Sequence, residues 1–185
     1  MGKFYPKINN VLLAEIILFV GLTLDIVIRP TSLSNNSGIS YFGIFLNTLP
    51  AYVVALSASS YLLARFGLLQ VKKYKPVKFM LMALFPFNVL LICFPYDVNR
   101  FYADTHQTFG VLIFVSELLI SFYILEKFNK RSINRWLISI EFISGLFSAY
   151  YLSPKSGFLL QSQIVYQIAF GLILFFNQKG LSKNT

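Results

Sequence analysis

Seven carboxylates and one histidine are the main groups in this chain able to hold a cation, move a proton or activate a nucleophile. Four of the carboxylates, Glu15, Asp25, Glu117 and Glu141, fall inside long apolar runs. A charge in hydrocarbon costs roughly 2.5 to 3.5 kcal/mol on insertion scales. A carboxyl kept there must find a partner, carry a proton or line a polar cavity. Gln163, Gln167 and Gly171 lie on one line of the last apolar run. Glu15, Glu117, Glu141, Gln163 and Gln167 therefore make a candidate intramembrane polar site, suited to a cation, a proton or a polar headgroup. The competing reading is that each carboxyl is neutral and merely ties two helices together.

Depth supports grouping three of them. At about 1.5 Å per residue, Glu15 lies roughly 12 Å beyond Lys7 and Glu141 roughly 9 Å beyond Arg135. Glu117 lies roughly 13 Å before Glu126, and Gln167 reaches about the same level. Glu15, Glu117 and Glu141 can share one inner-half cavity if the first, fourth and fifth runs are neighbours. Close-packing stripes point the same way: Glu141, Gly145, Ser148 and Leu152 in one run, and Gly110, Phe114, Glu117 and Ser121 in another.

A second cluster is expected at the outer mouth. Asp25 and Arg29 are four apart and can pair along a helix face. The loop YDVNRFYADTHQ brings Asp97, Arg100, Asp104 and His106 close in sequence. Aspartate beside histidine can bind a metal or orient a base. One histidine and one cysteine, Cys93, make a poor zinc set and exclude both a bis-histidine haem within the chain and a disulfide. No metal or cofactor is expected. Ser34, Ser37 or Ser40 beside His106 and Asp104 would make a hydrolytic nucleophile set. The plainer alternative is an ion-paired loop in which Asp104 or Thr105 caps the fourth helix, while Asn9 or Asn10 caps the first.

The elements that must position these groups are membrane helices. Hydrophobic residues make up 56% and charged residues 12% of 185. A soluble domain carries about a quarter charged, so half that fraction cannot coat a water-facing surface. Disorder is excluded by the same apolar content. Six runs approach the roughly 20 residues that a crossing needs. They cover about 8–28, 41–64, 79–95, 105–125, 136–152 and 158–176. They do not alternate, which excludes a barrel. The expected fold is an all-α integral membrane protein, a single domain over 1–185 built as a bundle of six transmembrane helices. Pro50 and Pro86 are expected to kink the second and third.

Thirteen of the 16 basic residues fall on one side of that topology. They are Lys3, Lys7, Arg65, Lys72, Lys73, Lys75, Lys78, Lys127, Lys130, Arg131, Arg135, Lys179 and Lys183. Arg29, Arg100 and Lys155 face the other way. The positive-inside rule then puts both termini in the cytoplasm of a cell-membrane protein. The net charge of +9 reflects topology, and no nucleic-acid partner is expected. The first run is long, carries Glu15 and lacks a clean cleavage site, so it reads as a retained helix. Tyr5, Tyr41, Phe42, Tyr74, Tyr96, Phe101, Tyr102, Trp136, Tyr150 and Tyr151 should form the interfacial belt. No phosphate loop, dinucleotide fingerprint, HExxH or CxxC occurs.

The pattern Ser34-x-x-Ser37-Gly-Ile-Ser40-x-x-Gly43, with Phe45-x-Asn47, is similar to the first outer loop and second span of a prokaryotic family of six-helix membrane proteins of unknown function. That family resembles the DRAM-like membrane proteins. Phe94-Pro95, then His106, Gly110 and Phe114, resembles its second signature. Where the family has Asp-Leu-Gly, this chain has Tyr41-Phe42-Gly43. The resemblance implies six helices and a polar pocket facing the outer leaflet. The expected function is binding or moving a small amphiphile, lipid headgroup or cation, with membrane lipids as partners. The alternatives are a structural or assembly subunit, alone as a homo-oligomer or with a membrane-protein partner, and a hydrolase with an outer-face Asp/His site.

Overall fold

The computed structural model describes residues 9–34, 38–128, 132–151 and 157–182. Six α-helices follow in order: α1 Asn10–Ile28, α2 Leu49–Gln70, α3 Lys75–Cys93, α4 Arg100–Phe128, α5 Ser132–Tyr151 and α6 Leu159–Ser182. Two 3-10 helices, Pro30–Leu33 and Ile39–Ile44, connect α1 to α2. No strand occurs among the described residues. Lys3, Tyr5, Lys7, Asn35, Asn36, Ser37, Lys130, Arg131, Leu152, Lys155 and Lys183 lie outside them.

Consecutive helices run antiparallel, as particular contacts show. A Cβ on Gly21, late in α1, would come within 2.5 Å of Ala55 Cβ, early in α2. A Cβ on Gly67, late in α2, would come within 2.9 Å of Leu81 Cβ in α3. His106 at the start of α4 bonds Leu91 near the end of α3. Ser148 and Ser162 join the end of α5 to the start of α6. Each neighbour in the series α1, α2, α3, α4 packs on the next, α6 packs on α4 and α1, and α5 lies against α6 and α4. Phe66, Leu81, Leu84, Ile120, Ile124, Phe170, Ile173 and Leu174 fill the core.

The helix ends have local causes. Asn9 accepts a hydrogen bond from the Leu12 amide at 3.2 Å and caps α1. Pro50 and Pro76 stand in the first turns of α2 and α3, where a missing amide hydrogen costs nothing. The expected kink at Pro50 therefore has no basis, whereas Pro86 does lie inside α3. Thr48 donates to the Phe42 carbonyl at 2.7 Å and closes the turn into α2.

Several boundaries differ from the expected spans. Residues 41–44 belong to the second 3-10 helix, so α2 begins only at Leu49. Arg65, Lys75, Lys78, Lys127, Arg135 and Lys179 sit inside helices, which extend past their apolar centres. α4 starts at Arg100, and the Asn99 side chain caps it by accepting from the Tyr102 amide at 3.0 Å. Asp104 and Thr105 thus lie within the helix and do not cap it. Phe42, expected in the aromatic belt, is fully buried.

Five helices, α1, α2, α3, α4 and α6, are long and apolar enough to cross a membrane. Large apolar side chains stay exposed along them, among them Val20, Val27, Val54, Phe79 and Val111. Water would penalise such a surface, and lipid is its natural solvent. The chain is a multi-pass membrane protein on these grounds. α5 carries Asn134, Arg135, Glu141 and four serines, and is not among the five.

Candidate functional site

Polar groups gather in two places, one in the middle of the bundle and one at its 3-10 end. In the middle, α4, α5 and α6 bring together Glu117, Glu141 and Gln167. Gln167 Nε2 donates to Glu117 Oε2 at 3.0 Å. Glu117 is buried, and Glu141 and Glu15 both lie within electrostatic range of it. The Glu141 carboxyl is fully buried, and among the described residues neither of its oxygens has a partner within hydrogen-bond geometry. The hydroxyls of Ser121 and Tyr166 lie beside it. Tyr166 instead donates to the Phe114 carbonyl at 2.8 Å, and its ring stacks on Phe114 at 4.4 Å.

Glu15 reaches the same level from α1. Its carboxyl rests directly against the α-carbon of Gly171, where any β-carbon would overlap it. Glycine here makes a notch in α6 that receives the carboxyl. Glu15 also forms part of the wall of a groove of about 460 Å³ along α1, with Ile16, Phe19, Val20, Thr23 and Leu24. Thr23 turns its hydroxyl back to the Phe19 carbonyl at 2.7 Å, leaving its methyl for the groove. Glu15 thus stands at one end of a lining that is otherwise apolar. Among the described residues, no three His, Cys, Asp or Glu side chains converge closely enough to hold a metal ion.

Gln163 does not join this group. One turn nearer the 3-10 end, its Oε1 accepts from the Ile39 amide at 2.7 Å. A Cβ on Gly38 would come within 2.7 Å of that oxygen, so Gly38 lets the segment dock on α6. Gln163 thus positions the residues just before Ser40.

At the 3-10 end, His106 is buried and bonded through both ring nitrogens. Nδ1 lies 3.0 Å from the Leu91 carbonyl and 2.9 Å from the Phe94 carbonyl. Carbonyls only accept, so Nδ1 carries the hydrogen. In the neutral ring Nε2 then accepts from the Ser40 hydroxyl, at 2.8 Å. Tyr96 packs edge-on to the imidazole at 5.5 Å. The Tyr52 hydroxyl lies beside Ser40, and Asp25 lies close to Tyr52. Asp25 is fully buried, and neither of its oxygens has a hydrogen-bond partner among the described residues.

The remaining outer-mouth residues stay apart from this set. Asp104 is exposed and pairs with Arg100 at 3.8 Å, a solvated contact of little energetic weight. It does not orient His106, whose Nδ1 is held by the Leu91 and Phe94 carbonyls. Asp97 is exposed. Arg29 does not pair with Asp25. It is the residue after α1, with φ −132° and ψ 75°, so helical spacing no longer applies to it. Its guanidinium stacks 3.3 Å above the Phe45 ring, and Nε donates to Asn47 at 3.4 Å.

One polar contact escaped the sequence reading. Asn134 and Asn177 exchange hydrogen bonds at 3.2 and 2.9 Å between α5 and α6. The signal was present, since Asn134 lies on the stripe of Glu141 and Gly145. No protein-family model, curated protein or solved structure matches this chain. The likeness to the six-helix family therefore rests on its short motifs alone.

Proposed function

We propose that this chain binds or moves a small amphiphile with a cationic headgroup, held at Glu15 with its tail along α1. The carrying observation is the Glu15 carboxyl, seated over Gly171 in the wall of an otherwise apolar groove. A carboxylate at such a boundary stabilises an ammonium group, and Ile16, Phe19, Val20 and Leu24 offer apolar surface to an alkyl chain. Glu117 and Glu141 behind it add acidic groups to the same region, and Gln167 orients the first of them. An organic cation fits better than a divalent ion, because no three ligating side chains converge among the described residues.

In this reading α5 is the sixth crossing and both termini are cytoplasmic. The antiparallel order and the 13 basic residues grouped on one side support that topology. Single cysteines at Lys73 and Asp97, in a Cys93→Ser background, should react with an impermeant maleimide from opposite faces of intact cells. For the ligand, a photoreactive long-chain alkylamine should crosslink in lipid nanodiscs to Ile16, Val20 or Leu24. Crosslinks confined to other helices would overturn the groove assignment.

A further inference from the structure

We propose that Ser40 and His106 form a nucleophile–base pair that cleaves the ester bond of a membrane amphiphile at the 3-10 end of the bundle. This site is separate from the Glu15 groove and does not depend on it. The geometry is that of an activated serine. Ser40 is half-buried and lies 2.8 Å from Nε2, the ring nitrogen left free to accept its proton. The Leu91 and Phe94 carbonyls fix the tautomer and ring orientation through Nδ1. They occupy the place that a carboxylate or amide side chain fills in other nucleophile–histidine sets.

The serine is also held from its own side. Gln163 binds the amide of the preceding residue, Ile39. Thr48 closes the turn that follows, through the Phe42 carbonyl. Gln163 ties the second 3-10 helix to α6, and Thr48 ties its end to the start of α2. They are positioning residues. Tyr52, whose hydroxyl lies beside Ser40, is the donor available to a developing oxyanion.

The steps balance with water as the only co-reactant. The Ser40 hydroxyl proton passes to Nε2 as Oγ bonds to the ester carbonyl carbon and the carbonyl electron pair moves onto oxygen. Collapse of that adduct breaks the bond to the alkoxy oxygen, which leaves as an alcohol with the proton from Nε2. Water then attacks the acyl-serine and gives a proton to Nε2. The acid departs and Ser40 recovers its proton. The two carbonyls stabilise the imidazolium in each half.

The position at the rim of the bundle sets the substrate class. Leu46, Val98 and Phe101 project around this end with relative exposures of 89%, 57% and 66%. An acyl chain lying in the bilayer can meet such a surface, whereas a water-soluble ester gains nothing from it.

The test uses the full chain in lipid nanodiscs, treated with a long-chain alkyl fluorophosphonate and digested for mass spectrometry. The expected adduct is on Ser40 of the unaltered protein. Adduct formation should fall about a hundredfold in His106→Gln, in line with loss of a general base. Ser40→Ala should lose the adduct altogether. A Ser40 left unmodified in the unaltered protein overturns the proposal without reference to how any variant folds. So does modification of Ser40 at an unchanged rate in His106→Gln, because a histidine that only braces the loop would give that result.

Discussion

His106 at the 3-10 end and Glu141 in the middle are built on opposite terms, and Asp25, beside the first, shares the state of the second. At the 3-10 end, His106 has a partner for each ring nitrogen and joins three segments, the end of α3, the start of α4 and the second 3-10 helix. In the middle, among the described residues, both oxygens of Glu141 and one of Glu15 are without a hydrogen-bond partner, and the Glu15 carboxyl packs on a glycine. A satisfied buried network rigidifies and specifies structure, while unsatisfied buried groups cost stability. The difference lies between residues and not between whole regions: His106 holds α3, α4 and the second 3-10 helix in register, while Glu141, Glu15 and Asp25 keep buried oxygens unbonded at the expense of stability.

Substitutions test that contrast. The largest effect is expected from His106→Ala, which strands Ser40 and two carbonyls and leaves a cavity. About 3 kcal/mol should be lost, seen as a lower unfolding midpoint in a mild detergent. Gly171→Val comes next. Its side chain collides with the Glu15 carboxyl, costing about 2 kcal/mol by overpacking, and alkylamine crosslinking along α1 should disappear with it.

Asn177→Leu leaves Asn134 without its partner and should cost about 1 kcal/mol. It tests whether the α5–α6 seam belongs with the satisfied region. Tyr166→Phe removes only the bond to the Phe114 carbonyl, about 0.6 kcal/mol. Glu141→Gln is expected to change stability least, by less than about 0.5 kcal/mol in either direction, because no bond is lost. A large loss in Glu141→Gln would show that its carboxyl is tied into the fold after all, and the contrast would fail.

The parts legible in the sequence were those governed by rise per residue and by capping. Asn9 caps α1, and Gln167 meets Glu117, because both follow from helix geometry within one or two elements. The parts not legible depend on chain direction outside helices. Asp25 and Arg29 have pairing spacing, yet the chain has left the helix at Arg29, and its side chain turns to Phe45. Asp104 is two residues from His106 in sequence, yet on α4 it points to solvent while the imidazole turns inward. The partner of His106 came from Ser40, 66 positions away, held there by Gln163. Three serines of that loop were equal candidates until the docking of the 3-10 helix was known.

Cation selection at the Glu15 end of the α1 groove is the property on which the proposed function turns. Its most direct measurement is equilibrium binding, in nanodiscs, of a fluorescent dodecylammonium probe against the uncharged dodecanol analogue. The unaltered protein should prefer the cation about tenfold, equivalent to about 1.4 kcal/mol, and Glu15→Gln should abolish that preference. Equal affinity for both probes, or a preference that survives in Glu15→Gln, would contradict it.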